Sequence, residues 1–159
     1  MLFILVDIIR KGCNKRMNEI LLETHGLTKQ FRRYKAVNDI DMHIRRGAIY
    51  GFIGRNGAGK TTFLKMVCGL ANPTAGEYSI FGCTGKELAQ VRPRVGCLIE
   101  APGIYANMTA RDNLMIKARL FGIRDKKYAD WILDTVGLSD VGRKKTGHFS
   151  LGMKQRLGI

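Results

Sequence analysis

The stretch Gly54–Thr61, which reads GRNGAGKT and is followed by Thr62, constrains the fold of this chain more than any other feature. It satisfies the pattern G-x-x-x-x-G-K-[ST], in which glycines let the backbone curl until successive N–H groups point into one concavity. The continuous apolar run AIYGFIG leads into it, and a helical pattern from Lys60 to Leu70 follows it. A strand, a glycine-rich loop and a helix in this order predict a phosphate-binding loop (P-loop) in an α/β fold.

The residues of this loop are predicted to hold a nucleotide. Backbone N–H groups would meet phosphate oxygens, and the first turn of the following helix would add the positive end of its dipole. Lys60 would reach the β- and γ-phosphates, and the hydroxyl of Thr61 would bind Mg²⁺, which prefers hard oxygen ligands. A P-loop by itself does not separate transporter subunits from kinases or GTPases. The predicted nucleotide-binding residues of the loop are Gly54, Arg55, Asn56, Gly57, Ala58, Gly59, Lys60, Thr61 and Thr62.

The remainder of the chain alternates strand and helix patterns. Period-two alternation over 37–44 indicates a half-buried strand with His43 on its solvent side, and short strands are expected at 19–24 and 77–81. The apolar runs 48–54 and 95–100 are typical of parallel strands that are buried on both faces. Helices are expected at 60–70, at 86–91 and within 109–137, where Thr109 and Asp112 form a capping box and Trp131 is expected in a small helical core.

Charge and cysteine content say more about partners than about fold. Lys and Arg number 27 against 13 Asp and Glu, which gives a net charge of +14. Nucleic acid, anionic lipid and nucleotide phosphate are all candidate partners for such a charge. The basic residues are dispersed without an aromatic-interleaved stripe, so we expect solvated surface and no nucleic-acid partner.

The four cysteines lack C-x-x-C spacing, and we expect Cys68 and Cys97 to be small core residues of a reduced protein, not zinc ligands.

The apolar segment 1–9, MLFILVDII, is too short to span a bilayer and contains Asp7. Its positive charges follow the run, whereas a secretory signal carries them in front. Two interpretations stay open: upstream sequence with Met17 as the natural start, or a segment that touches a membrane. The favoured division is therefore 1–16, a non-native or dispensable extension, and 17–159, one domain.

From about Leu21 onward, the chain resembles the nucleotide-binding domains of ABC transporters. The part similar to the family's opening is LTKQFRRYKAVNDIDMHIRRGAIYGFIGRNGAGKTTFLKMVCGL. By this resemblance Phe31 would stack on adenine, with Tyr34 as a second candidate; alternatively, one of the two packs against the sheet. The segment IEAPGIYANMTARDNL falls at the family's Q-loop, with Glu100 in place of the usual Gln. A carboxylate there would still bind Mg²⁺ or orient water.

A third segment, FSLGMKQR at 149–156, resembles the family's signature motif. By that resemblance Ser150, Leu151, Gly152 and Met153 would reach the nucleotide bound by the opposite subunit of a dimer. Ser150 is equally suited to be an ordinary helix N-cap. The Glu at the Q-loop and this variant motif are similar to the subgroup that handles bacitracin and lantibiotic-type peptides.

The resemblance implies an ABC-type ATPase that binds ATP and Mg²⁺, dimerises, and lies at the inner face of the membrane through a permease. The family's Walker B strand, catalytic Glu and switch His would follow Ile159, so we expect this chain alone to bind nucleotide without hydrolysing it. We also expect an incomplete sheet and a poorly soluble or molten isolated chain, because unpaired buried strands are costly.

Two other functions fit the same motifs. One is a soluble ABC ATPase that acts on ribosomes or DNA. Tandem copies of the domain in the full gene and the lack of a neighbouring permease gene would favour this function. The other is a truncated, non-enzymatic nucleotide-binding fragment.

Overall fold

The computed structural model describes residues 19–159, so the predicted extension 1–16 and the start at Met17 lie outside the described residues. The chain divides into two compact units, of which one ends at Glu100 and the other spans Ala101–Ile159. Each unit has its own apolar core. Within residues 19–159 no helix combines the length and the apolar character needed to cross a bilayer.

The first unit is built on a small antiparallel sheet. Its strands are β1 (Ile20–Phe31), β2 (Tyr34–Arg45) and β3 (Ala75–Ile80), in the order β2-β1-β3. The strands predicted at 19–24, 37–44 and 77–81 are thereby confirmed, although β1 and β2 extend further than expected. Met42 and Ile44 are buried while Asp41 and His43 are exposed, as the period-two pattern predicted.

One helix covers the buried side of this sheet. Helix α1 (Lys60–Val67) follows the P-loop and buries Phe63, Leu64, Met66 and Val67 in the same core as residues of β1 and β2. Burying such a side chain stabilises the fold by about 1.5–3 kcal/mol. The helix ends before the predicted Leu70, which is exposed, and Gly69 follows it with a φ of 73°. A short 3₁₀ turn (Gly85–Glu87) and helix α2 (Leu88–Val91) confirm the helix expected at 86–91.

The two predicted parallel strands, 48–54 and 95–100, are wrong in this structure, because both segments are irregular. Ile49 and Ile53 are 98% and 96% exposed, and Cys97, expected in the core, is exposed. A strand of this kind forms only when neighbours pair with its backbone and helices cover both faces. The described residues supply three antiparallel strands and no partner for these two runs. The sheet is incomplete, as expected.

The second unit is helical, as predicted for 109–137. It contains α3 (Ala110–Leu120), α4 (Lys126–Thr135) and α5 (Leu151–Gly158). The Thr109 N-cap is confirmed, because Thr109 Oγ1 accepts from the Asp112 N–H at 3.1 Å; the Asp112 carboxylate accepts from the Thr109 hydroxyl at 2.6 Å, in place of the backbone N–H that a capping box would use. The buried core of this unit consists of Ala110, Leu133, Leu138, Phe149 and Leu157.

The prediction that Trp131 packs in the helical core is wrong, because its side chain is 60% exposed. Ala129 and Leu133 are the buried residues of α4 and lie one turn apart on one face. Trp131 is two residues from each, which places it on the opposite face of a helix with 3.6 residues per turn. Its ring lies 5.9 Å from that of Tyr128.

Candidate functional site

The P-loop is curled by two glycines in the left-handed region. Gly57 has a φ of 82° and Gly59 a φ of 86°, conformations that cost other residues roughly 1–2 kcal/mol. Between them the Ala58 N–H donates to the Arg55 carbonyl at 3.1 Å, which closes a tight turn. Residues 54–58 are exposed, whereas residues 59–62 are half-buried at the start of α1. The predicted loop therefore presents its backbone to solvent at the end of the apolar run.

Lys60 folds back over this loop. Its ammonium Nζ donates to the carbonyl oxygens of Gly54 at 2.6 Å and of Arg55 at 2.7 Å. A phosphate oxygen is a charged acceptor, and hydrogen bonds to charged acceptors are roughly twice as strong as those between neutral groups. The ammonium is thus held beside the loop by bonds that a phosphate could replace.

The N-terminus of α1 is suited to an anion. Its N-cap, Gly59, has no side chain to accept a hydrogen bond, and the first turn holds no acidic residue. By contrast, α3, α4 and α5 are capped by the side chains of Thr109, Asp125 and Ser150. Because Gly59 offers no side-chain acceptor, the start of α1 suits an external anion, as the N-terminus of a helix commonly does. The backbone therefore fits the phosphates of the predicted ATP.

The β1–β2 hairpin lies directly against the loop. A Cβ on Gly59 would come within 1.9 Å of the Ala36 carbonyl oxygen, so only glycine allows this approach. The Tyr34 hydroxyl donates to the Gly57 carbonyl at 3.1 Å. Sequence reasoning missed both contacts, because neither the period of β2 nor the loop pattern encodes which strand lies beside the loop.

Phe31 ends the first strand of the hairpin that contacts the loop. It is the cross-strand partner of Tyr34, it lies outside the core with 51% of its surface exposed, and Lys29 Nζ lies 5.1 Å from its ring centroid. The hydroxyl of Tyr34 is engaged with the loop, whereas the Phe31 ring stands at the solvent-facing end of β1. Stacking of adenine on Phe31 stays a prediction.

Glu100 lies beside the helix that follows the P-loop. Its Oε1 is 4.0 Å from Lys65 Nζ, and its side chain is 69% exposed. Lys65 and Thr61 are four residues apart on α1, so they share one face about 6 Å apart along the axis. Glu100 also has a φ of 65°, which is uncommon for a residue with a side chain. Glu100 is thus placed beside Lys65, one turn along α1 from Thr61; coordination of Mg²⁺ by Thr61 and Glu100 stays a prediction.

The predicted signature residues begin α5. Ser150 Oγ accepts from the Met153 N–H at 3.2 Å, so the N-cap interpretation is confirmed. Leu151 and Gly152 are exposed, and Met153 packs against the helical core. An N-cap hydroxyl next to exposed first-turn residues is compatible with a role toward a nucleotide, which stays a prediction. Arg156, whose role the sequence did not suggest, donates to the carbonyls of Val136 and Gly137 beyond the end of α4.

Comparison with known proteins identifies the family to which this loop and helix belong. The family model described as "ABC transporter" matches residues 37–159. The chain is 47% identical over 140 residues to the bacitracin transport ATP-binding protein BcrA of Bacillus licheniformis, covering 87% of this chain and 46% of that protein. It is 36% identical to the lantibiotic transport ATP-binding protein SrtF of Streptococcus pyogenes, covering 87% and 59%.

Solved structures agree. The ATP-binding subunit of an ABC transporter matches with a TM-score of 0.68 at 29% identity, covering 86% of this chain and 59% of that one. The ATP-binding cassette MJ0796, a dimer bound to ADP and Pi, matches in fold with a TM-score of 0.72 at 22% identity, covering 87% and 67%. The chain spans about half the length of the curated relatives it matches. With a glycine-rich loop, an uncapped helix N-terminus and this set of relatives, the chain belongs to the ABC transporter family of ATP-binding proteins.

Proposed function

We propose that this chain binds the phosphates of ATP in its P-loop, as the nucleotide-binding part of an ABC transporter ATP-binding subunit. The observation that carries the proposal is the loop itself. Two left-handed glycines curl it, Lys60 Nζ is held over the Gly54 and Arg55 carbonyls, and α1 begins without a side-chain cap. A helix start without a side-chain cap and one ammonium therefore lie at the same exposed loop, which suits a polyphosphate.

Within this proposal, Phe31 stacks on adenine, and Thr61 and Glu100 contribute oxygens toward Mg²⁺. A magnesium ion, when bound with the nucleotide, would neutralise phosphate charge. The support for Glu100 is its position beside Lys65, on the helix face that also carries Thr61. The expected contribution of Glu100 is modest, because its carboxylate is exposed to solvent.

The test is binding of a fluorescent ATP analogue to the full chain, with Lys60→Ala as the decisive change. We expect affinity to fall at least tenfold, because the variant loses the ammonium that lies over the Gly54 and Arg55 carbonyls; tenfold is about 1.4 kcal/mol. Lys86→Ala is the matched control, since it removes the same charge from the exposed 3₁₀ turn Gly85–Glu87. Equal affinity of the two variants would remove the P-loop assignment.

A second measurement addresses the metal. Glu100→Gln should weaken the dependence of analogue binding on Mg²⁺ and leave metal-free binding unchanged, because an amide keeps the size of the side chain but loses its charge. If the variant responds to Mg²⁺ as the unmodified chain does, Glu100 is not a ligand.

We further propose that the cellular function is export of, or immunity to, a peptide antibiotic, with ATP-driven dimerisation coupled to a membrane permease. The bacitracin and lantibiotic relatives support the substrate class, and Glu100 and the variant signature at Ser150–Met153 support the same subgroup. Location at the inner face of the membrane follows from that partner.

The cellular test uses a strain that expresses the whole ATP-binding subunit of which this chain is the proposed nucleotide-binding part, together with a membrane permease. The minimal inhibitory concentration of bacitracin should rise on expression and return to the level of the empty strain with Lys60→Ala. A rise that survives Lys60→Ala would separate resistance from nucleotide binding. A lantibiotic in place of bacitracin distinguishes the two substrate groups.

A further inference from the structure

The segment 95–100 runs alongside α1 and contacts it at two levels. At one level Glu100 pairs with Lys65, with 4.0 Å between Oε1 and Nζ. At the other level Cys97 neighbours Cys68, the C-cap residue of α1, closely enough that its thiol helps to raise the pKa of the Cys68 thiol. The two contacts are three residues apart along α1 and also three residues apart along the segment 95–100, but in the reverse order. The segment therefore runs antiparallel to the helix. Two cysteines are therefore side by side, on parts of the chain that are separated by 29 residues.

The two thiols differ in access. Cys97 is exposed, whereas Cys68 is half-buried. Burial raises the pKa of the Cys68 thiol, and the neighbouring Cys97 adds to this increase, while the Arg92 guanidinium opposes it. A dissolved oxidant therefore meets Cys97 first, and Cys68 meets mainly Cys97.

Arg92 adds an independent feature to this place. Its Nε atom is buried without a hydrogen-bond partner, and its guanidinium lies against Gly69, the neighbour of Cys68 in the chain. A cation beside a thiol stabilises the thiolate through which thiol–disulfide exchange proceeds, so Arg92 offsets part of the effect of burial on Cys68 without reversing it.

We propose that Cys68 and Cys97 are a redox modification site that forms a reversible disulfide between the end of the P-loop helix and the segment leading to Glu100. With oxidised glutathione as oxidant, the Cys97 thiolate attacks one sulfur of the glutathione disulfide, which forms a mixed disulfide and releases one glutathione thiolate. Cys68 then loses its proton to solvent and attacks the Cys97 sulfur, releasing the second glutathione. Two electrons pass from the cysteine pair to glutathione, and excess dithiothreitol reverses the reaction.

The test is disulfide mapping of the full chain by non-reducing peptide mass spectrometry after incubation in a glutathione redox buffer. The separation of the cysteines along the chain supplies an internal control, because it sets which pair would link in an unfolded chain. In the unfolded chain Cys83 and Cys97 lie 14 residues apart, against 29 for Cys68 and Cys97. Loop closure favours the shorter loop by about threefold, because its probability falls as the −3/2 power of length.

The expected result is a Cys68–Cys97 linkage that exceeds Cys83–Cys97 in native buffer by at least about threefold, with the order inverted in guanidinium chloride. In Cys68→Ser, Cys97 should stop at the mixed disulfide with glutathione, while Cys83→Ser, which removes a half-buried thiol elsewhere in the same unit, should leave the linkage unchanged. The proposal is overturned if the native pattern equals the denatured one, or if the unmodified chain accumulates glutathionylated Cys97 to the same level as Cys68→Ser.

Discussion

Replacement of Gly59 by alanine should open the contact between the P-loop and β2. Two costs apply. A φ of 86° disfavours any side chain by roughly 1–2 kcal/mol, and the new Cβ would lie 1.9 Å from the Ala36 carbonyl oxygen. That oxygen belongs to the backbone, so the clash cannot be relieved by rotation of a side chain. The strand itself must move away. The Tyr34–Gly57 hydrogen bond would be lost with it, at a further cost of about 1 kcal/mol.

Gly57→Ala is the matched control for this substitution. Its φ of 82° imposes the same conformational cost, yet nothing lies within 4 Å of the added Cβ. Alanine also reduces the freedom of the unfolded chain equally in both variants, so this effect cancels between them. The difference between Gly59→Ala and Gly57→Ala therefore isolates the close approach to Ala36.

Amide hydrogen exchange over Tyr34–Arg45 measures that difference locally and does not require a cooperative global transition. Exchange in β2 should be at least about fivefold faster in Gly59→Ala than in Gly57→Ala, which corresponds to about 1 kcal/mol of lost contact. Equal exchange rates of β2 in the two variants would refute the reasoning, because they would mean that Gly59 does not pack against the hairpin.

Two further predictions concern solvent-exposed groups. Ile49→Lys with Ile53→Lys should reduce binding of a hydrophobic dye and raise solubility, because these apolar side chains are almost fully exposed. Dye binding that is unchanged in this variant would show that the two side chains are not the dye site, whereas a cooperative thermal transition of the unmodified chain would contradict the expected molten behaviour. In the second unit, Arg111 lowers the pKa of Asp130 through a bidentate hydrogen bond, so Arg111→Ala should raise that pKa toward its ordinary value in a carbon-detected NMR titration. Because the pKa of Asp130 is lowered in the folded chain, the pair contributes stability above the ordinary aspartate pKa and loses it as the pH falls through the lowered value. An Asp130 titration that is unchanged in Arg111→Ala would show that the two side chains do not pair in solution.

The features that the sequence predicted correctly are local. The alternation along β2, the Thr109 N-cap with Asp112 three residues later, and the glycine-rich loop each depend on residues within one turn or one strand of each other. In such cases the side-chain period or the backbone conformation of glycine is sufficient information.

The features that were missed or wrong depend on distant partners. The Tyr34–Gly57 bond and the Lys65–Glu100 pair join residues that are 23 and 35 positions apart, and no spacing rule connects them. Trp131 was misplaced for a related reason. Apolar residues at 128, 131, 132, 133 and 136 surround much of α4, and only the tertiary contacts of Ala129 and Leu133 decide which face is buried.

The irregular segment 48–54 shows how far the P-loop depends on the sheet. The apolar run predicts a strand that is buried on both faces. Such a strand forms only when neighbouring strands pair with its backbone, and residues 19–159 do not supply these neighbours. The loop is nevertheless curled in this structure, because its geometry comes from Gly57 and Gly59, from the Lys60 ammonium on two carbonyls, and from contact with β2. None of these uses the strand ladder that the run was predicted to join. Nucleotide-phosphate binding should therefore depend first on the loop and the hairpin, and only second on completion of the sheet.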